Sequence, residues 1–341
     1  MTLARQRTEF DRPTIIDVAE IAHVSRQTVS RVLAEHPRVA DATRARVKEA
    51  ISSLGYRPNR MARALVTKSS LTFGFAALDM RDPHFGETCA GVRIAAQQYG
   101  YHLVVTEYDL SDDLGIGTLE TLLTLGVDGI ALFPGLLEDA DIEAFAAKSG
   151  CPVVTIGRPS QIPGVVSIAM DEERAAEMIV DRLYAAGKRH IGVLMNEAYP
   201  EAIHDRYFAL EAAIANRTGV VKPPVAADFP KIGTGRSAAT SLLRAHPELD
   251  ALVGFNDTMA MGALLACRDL RLRVPQDVAI VGYDGIPYGE VSDPPLTSIL
   301  QDSIGMAEAA FSALITCLED GTPTDGEVQI WSPELLIRES A

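Results

Sequence analysis

From residue 71 onward, short apolar runs of strand length alternate with helical stretches, and this alternation limits the fold more than any other feature. Candidate strands cover 71–78, 102–108, 129–133, 152–156, 190–194, 225–228, 251–254 and 279–283. Helical stretches lie between them, among them 86–98, 172–186, 206–216, 237–245 and 257–270. Strands bounded by Gly, Pro and Asp and separated by helices need crossover connections. The expected product is a parallel α/β sheet in two doubly wound halves. The chain has 341 residues, too many for one ordinary domain, so two or three are expected.

The first sixty residues follow a different rule. Pro13 and Thr14 give a helix-start signal, after which Val18, Ile21 and Ala22 fall on one helical face. His23-Val24 interrupts the pattern, and Ser25 is a good cap for a second helix running from Arg26 to Leu33. A third helix, about residues 41–54, places Val47, Ile51 and Leu54 at helical spacing and stops at Gly55 ahead of Pro58. Small Ala19 and Ala22 let two short helices cross closely, which is the logic of a helix-turn-helix. Arg26 and Gln27 open the second helix with planar side chains that can read base edges in a major groove, and Arg31 follows one turn later. Thr14, Ser25, Thr28 and Ser30 add groups suited to contacts with the nucleic acid, hydroxyl to phosphate above all. Spacing alone also permits a three-helix bundle with an exposed basic face.

Charge sharpens the contrast. The whole chain has a formal net charge of −15, discouraging for a nucleic-acid binder. Residues 1–68, however, hold thirteen Lys and Arg against seven Asp and Glu, so a basic module is joined to a strongly acidic body. One end of the chain suits a polyanion and the other does not.

Several function classes find no support. There is no Walker A motif and no G-x-S-x-G elbow. Gly233-Thr234-Gly235-Arg236-Ser237-Ala238 imitates a dinucleotide-binding turn without the rest of its fingerprint and reads as a capped helix start. The histidines have no metal-ligand spacing, and no metal or cofactor is expected. Cys89, Cys151, Cys267 and Cys317 are scattered and read as buried thiols of a cytoplasmic protein. No apolar run reaches membrane-spanning length, and the N-terminus has no secretory signal pattern.

The segments TIIDVAEIAHVSRQTVSRVL (14–33) and RVADATRARVKEAISSLGYRPNRMARAL (38–65) resemble the headpiece of the lactose/galactose repressor (LacI/GalR) family almost position by position. Two departures stand out: His23 replaces a turn glycine, and Ala40 replaces the Ser/Thr cap of the third helix, a task that Asp41 can take over. The body resembles the same family through VDGIALF (127–133), AAGKRHIGVL (185–194), GFNDTMAMGALLACRDLRLRVPQDVAIVGYDGI (254–286) and PPLTSILQDS (294–303). The resemblance implies an all-α helix-turn-helix headpiece (13–58) and a hinge helix with linker (59–70). A two-lobed effector domain with the type I periplasmic-binding-protein fold (71–338) follows. Its N-lobe is about 71–168 and 302–324, and its C-lobe about 169–301 and 325–338, with crossings near 167–170, 297–302 and 323–328.

The resemblance also implies function. The hinge would place Asn59, Arg60, Ala62, Arg63 and Leu65 on DNA, with Leu65 as the minor-groove wedge. Read without the family, the same segment is an ordinary linker helix with Leu65 in a core. The effector would lie outside the carboxyl ends of both sheets. Arg206, Asn256 and Asp284 are the leading contacts, with Asp79, His84, Phe85, Arg158, Phe229, Gln301 and Asp302 as further candidates. Gly157 stands where several relatives carry aspartate. The expected protein is therefore a non-enzymatic, cytoplasmic transcriptional repressor. It would be a homodimer on a pseudo-palindromic operator, since the chain ends after PELLIRES without a leucine-heptad tail. A sugar is the favoured effector. A purine-type corepressor is the rival, because His84-Phe85 resembles a base-stacking pair, and a free-standing binding protein or an α/β enzyme comes after both.

Overall fold

The structure, a computed structural model, describes residues 13–57, 69–108, 115–135, 137–195, 205–215, 220–222, 231–323 and 325–341. The chain divides into two compact units, Met1–Ser70 and Leu71–Ala341.

In the first unit, α1 (Ile15–Ile21), α2 (Arg26–Leu33) and α3 (Asp41–Leu54) pack around Val18, Val29, Val32 and Val47. Asp17 fixes the start of α1 by accepting from the Thr14 backbone N–H at 2.7 Å and from its hydroxyl at 2.8 Å. Ser25 caps α2 by accepting from the Thr28 backbone N–H at 3.1 Å. His23 takes the left-handed conformation, φ 51°, that its place in the turn demands. Two expectations need correction. Ile21 is 51% exposed, because seven-residue α1 buries Val18, Ala19 and Ala22 instead. Asp41 does not replace the missing cap of α3, whose N-terminus at Ala40 has no side-chain cap. Gly55, at φ 61°, ends α3. The hinge positions Asn59, Arg60, Ala62, Arg63 and Leu65 lie outside the described residues.

The second unit contains two six-stranded sheets. The first has the order β11-β5-β4-β3-β1-β2, built from β1 (Thr72–Ala77), β2 (His102–Glu107), β3 (Gly129–Leu132), β4 (Val153–Gly157), β5 (Val165–Met170) and β11 (Glu327–Trp331). The second has the order β12-β10-β9-β8-β6-β7, from β6 (His190–Leu194), β7 (Val220–Lys222), β8 (Ala251–Gly254), β9 (Ala279–Asp284), β10 (Thr297–Leu300) and β12 (Glu334–Leu336). Pairing is parallel except for β10 with β12, so the doubly wound halves expected from the alternation are present. In each sheet the strand order reverses beside the first strand, between β1 and β3 and between β6 and β8. Loops at the carboxyl ends part there and leave a crevice.

The last crossing between sheets differs from the expectation. Residues 327–331 pair with β5 in the first sheet, Val328 opposite Ser167, and the chain crosses only after Trp331. Gly326, φ 77°, precedes this strand, and a Cβ there would stand 2.6 Å from the Ile162 carbonyl oxygen. The segment 225–228, expected as a strand, lies outside the described residues, as does Phe229. β12 falls within PELLIRES, read as a strand, whereas β5, β7, β10 and β11 and the helices Ile116–Thr124, Asp139–Ser149 and Ser303–Asp320 were not anticipated. The four cysteines form no disulfide; Cys267 and Cys317 are buried, Cys89 and Cys151 half-buried. Among the described residues no helix is long and apolar enough to cross a membrane.

The glycine-rich run 233–238 sits within the Ile232–Ala245 helix. Gly235 serves packing there: a Cβ on it would stand 2.3 Å from the Met259 carbonyl oxygen. Gly262, on the Asp257–Leu270 helix, is the reciprocal case, its Cβ falling 2.3 Å from the Ile232 carbonyl oxygen. Both obstacles are backbone, which cannot rotate away. Gly262→Ala should therefore force the two helices apart and cost about 2 kcal/mol or more. Urea denaturation would read this as a lowered midpoint at unchanged slope.

Candidate functional site

Two surfaces carry concentrated polar chemistry, and each is built by its local fold. On the first unit, Val29 and Val32 turn one face of α2 into the core, leaving Ser25, Arg26, Gln27, Ser30 and Arg31 exposed and Thr28 half-buried. Thr14 is exposed at the start of α1. The result is a short, stiff helix presenting two guanidiniums and a carboxamide along one side, with Ser25 at its N-terminus.

The second surface is a cleft between the two sheets. Leu78 and Asp79 enter it after β1, Phe133–Gly135 after β3, Gly157 and Arg158 at the end of β4, Phe255 and Asn256 after β8, and Asp284 at the end of β9. The rest of the wall includes Asp82, His84, Phe85, Glu172, Asp205, Arg206 and Gln301. These are the carboxyl ends of strands and the helix starts beyond them, where a doubly wound fold leaves side chains free of the sheet.

Arg206 is the most heavily engaged group. Its side chain is 13% exposed and lies over the Tyr283 ring, 3.4 Å from the centroid. Nε and Nη2 donate to Glu172 at 3.2–3.4 Å, and Nη1 donates to the Phe255 carbonyl at 2.6 Å. The Tyr283 hydroxyl donates to the same Glu172 carboxylate at 2.7 Å. Burial alone would depress the guanidinium pKa, but Glu172, Tyr283 and Asp284 outweigh it and raise it. Asp284 lies 3.9 Å from Nη1 and accepts from Gln301 Nε2 at 2.6 Å. Burial pushes its pKa well above the carboxylate range despite Arg206. Its backbone is left-handed at φ 105°, a strained conformation for aspartate of the kind that collects at functional sites.

The opposite wall is aromatic and acidic. Phe85 and Phe133 meet edge to face at 4.7 Å, and His84 packs on both rings. His84 Nδ1 lies 3.1 Å from the Ser303 hydroxyl; burial, with Arg206 adding to it, drives the imidazole pKa down to about 3. Asp79 accepts both ends of the Arg81 fork, at 2.7 and 2.8 Å. Asp82 caps the Pro83–Gln98 helix by accepting from the His84 backbone N–H at 3.0 Å. Its other oxygen accepts from Asn256 Nδ2 at 2.9 Å, a hydrogen bond that joins the two lobes across the cleft. Asn256 meanwhile caps its own helix through Oδ1, which accepts from the Met259 N–H at 2.9 Å.

Of the residues singled out in the sequence, Asp79, His84, Phe85, Arg158, Arg206, Asn256, Asp284 and Gln301 all line this cleft. Asp302 does not. It is exposed and caps the Ser303–Asp320 helix, accepting from the Gly305 N–H at 2.9 Å, because it points away from the neighbour that does face inward. Arg158 borders the cleft, but its guanidinium is tied to its own lobe by the Leu137 carbonyl, the Ser160 hydroxyl and Asp139. Asp82, Glu172 and Asp205 were missed. All three stand at helix starts, where an acidic residue is unremarkable in a sequence. Gly157 has φ 108°, which an aspartate would adopt only under strain. Among the described residues no cluster of His, Cys, Asp and Glu is placed to hold a metal.

Behind the cleft, Asp257 is fully buried, accepting from the Ser298 hydroxyl at 2.5 Å and the Ile286 N–H at 2.8 Å. Burial pushes its pKa up to about 7 against those bonds. The folded state therefore holds a proton here that the unfolded chain releases above its ordinary value near 4. This contribution to stability is full at low pH and is lost as pH rises through about 7. Asp257→Asn should remove a component of that sign, so the melting-temperature difference, wild type minus variant, should shrink between pH 5 and 8.

Comparison with known proteins finds relatives along both units. Residues 14–59 match the model of bacterial regulatory proteins, lacI family, and residues 180–341 match that of a periplasmic binding protein-like domain. Catabolite control protein A of Priestia megaterium is 30% identical over 325 residues, covering 93% of this chain and 96% of that protein. A lac repressor dimer bound to operator and the anti-inducer ONPF superposes with a TM-score of 0.86 at 27% identity, covering 97% of this chain and 99% of that one. A complex of the transcriptional regulator CelR with cellobiose gives 0.70 at 28% identity, covering 97% of this chain and 100% of that one.

Proposed function

The chain belongs to the LacI family of bacterial DNA-binding transcriptional regulators, and on that premise we propose that it is a homodimeric repressor controlled by a sugar. In this reading residues 13–58 grip one half-site of a pseudo-palindromic operator, 59–70 form the hinge on DNA, and 71–338 bind effector. Two-fold symmetry of the protein would match two-fold symmetry of the site.

The observation that carries the reading is the cleft, in which Arg206, Asn256 and Asp284 of one lobe face Asp79, His84 and Phe85 of the other. Planar hydrogen-bonding groups opposite an aromatic wall suit vicinal hydroxyls on one side of a sugar and its C–H face on the other. Cellobiose in the CelR complex supports the ligand class, and the operator-bound lac repressor dimer supports the DNA partner and the assembly. The three packed rings of His84, Phe85 and Phe133 favour one competing effector, a purine base stacked on Phe85. Effector and operator would then be linked, each changing the other's affinity by the same factor.

Arg206 anchors the test of the cleft. Arg206→Ala would strand the buried Glu172 and cost about 3–5 kcal/mol of stability, confounding any loss of response. Arg206→Lys keeps the charge and loses the planar fork. It should weaken sugar binding by about tenfold or more while operator affinity without sugar stays within about twofold. Calorimetry and DNA titration would measure the two. A thermal-shift screen of sugars and nucleobases comes first, because any ligand of the native state stabilises it; a shift from adenine or hypoxanthine alone would replace the sugar reading by the purine one.

For the headpiece, Arg26→Ala should relax specificity at one base pair of each half-site at a cost of about 1–3 kcal/mol. A mobility-shift panel of single-base operator variants reads this directly. Uniform weakening across the panel would make Arg26 a phosphate contact instead.

A further inference from the structure

Asp284 reaches the cleft from a backbone conformation that is strained for any residue but glycine. Its φ is 105°, and Gly285 follows at φ 71°. Such a conformation persists only where surrounding contacts over-determine it. Those contacts converge on Asp257, behind the cleft. Its fully buried carboxylate accepts from the Ile286 N–H at 2.8 Å and from the Ser298 hydroxyl at 2.5 Å. The same hydroxyl accepts from the Gly285 N–H at 3.2 Å. Both backbone N–H groups that follow Asp284 are thereby clasped. On the other side, the Asp284 carbonyl accepts from the Gln301 N–H at 3.2 Å. Gly282, paired with Ser298 across the β9–β10 ladder, leaves room for the clasp: a Cβ on it would stand 2.0 Å from Asp257 Oδ1.

We infer that Asp257 is a positioning residue for effector binding and acts through Asp284: its carboxylate fixes the turn after β9 and so aims the Asp284 side chain into the cleft. The inference rests on the reading of the cleft as the effector site and deepens it. Asp257 opens the Asp257–Leu270 helix directly after Asn256. Asn256 faces the cleft, while Asp257 reaches underneath to the ends of β9 and β10. Two successive residues thus supply one contact group and the anchor of another. A binding group works only if the residues behind it hold it within about 0.5 Å of its productive place. With the clasp open, the peptide after Asp284 can leave the left-handed region and carry the carboxyl out of register with Gln301 Nε2, 2.6 Å away, and with the ligand.

The test is a double-mutant cycle in the full chain. Calorimetry with glucose, galactose, ribose, cellobiose, adenine and hypoxanthine first finds the probe that the wild type binds most tightly. Asp257→Asn keeps the shape but turns one accepting oxygen into an amide that cannot accept, which opens half of the clasp. Asp284→Ala removes the group being aimed; Asp284→Asn, a milder change, takes its place if binding is lost outright. Asp257→Asn should weaken probe binding by about three- to tenfold, and Asp284→Ala by more. In the Asp284 variant, Asp257→Asn should change affinity by less than about twofold, because little remains to be aimed. A merely structural Asp257 gives losses that multiply, and that result overturns the inference, as does an Asp257→Asn protein that binds like wild type. Ser298→Ala opens the clasp from β10 and should show the same pattern, which keeps the cycle decisive if Asp257→Asn does not fold. Should the probe be a nucleobase, the sugar reading falls while the cycle judges Asp257 as before. Silence from every probe overturns both.

Discussion

A guanidinium taken out of water must be met on every side, and the C-lobe is arranged around meeting Arg206. Its partners come from the start of the Glu172–Ala185 helix, the end of β8 and the end of β9, while Arg206 itself begins the Asp205–Ala215 helix. Four elements, no two of them consecutive in the chain, are thereby tied together by one side chain. Tyr283 serves both partners, its ring beneath the guanidinium and its hydroxyl donating to Glu172. A buried ion pair of this kind contributes little net stability against an apolar substitute, but losing one member is costly. Its value lies in geometry: the cleft floor is set before any ligand arrives.

The general fold was legible because strand and helix periodicities are local. Parallel strands of a doubly wound sheet read as apolar runs, and seven of these were visible. β5 escaped because its six residues, all buried, were read as the tail of a crossing between lobes. β11 escaped because its half-exposed residues lack a continuous apolar run, and it is assigned to its sheet by a pairing with β5 more than 150 residues earlier in the chain. Long-range pairings of this sort leave no mark in a window of sequence.

At the cleft, polar residues directly after apolar strands were a usable signal, since a fold of this type exposes those ends together. The same signal misled at Asp302, where two polar residues follow β10 and only Gln301 faces inward. The acidic residues at helix starts show the converse difficulty. Asp82 and Glu172 look like ordinary first-turn or capping carboxylates, and Asp82 is one. What distinguishes them is the partner each finds on another element, Asn256 for Asp82 and Arg206 for Glu172. Side-chain identity was readable; the company it keeps was not.

The hydrogen bond from Asn256 to Asp82 has a thermodynamic consequence for any molecule that enters between the lobes. Burial and the nearby Asp79 hold the Asp82 pKa up, while the His84 N–H and Asn256 pull it down, so the ionised form leans on Asn256. The bond engages two groups that line the cleft, and the protein acts as a weak competitor for its own site. A newcomer that displaces this bond is credited only with the difference between its contacts and the one it breaks, and its apparent affinity is scaled by the fraction of molecules in which the bond is open. A newcomer that leaves the bond intact inherits a cleft whose walls are already tied together. Two ligands with identical contacts elsewhere would then differ in how far they part the lobes.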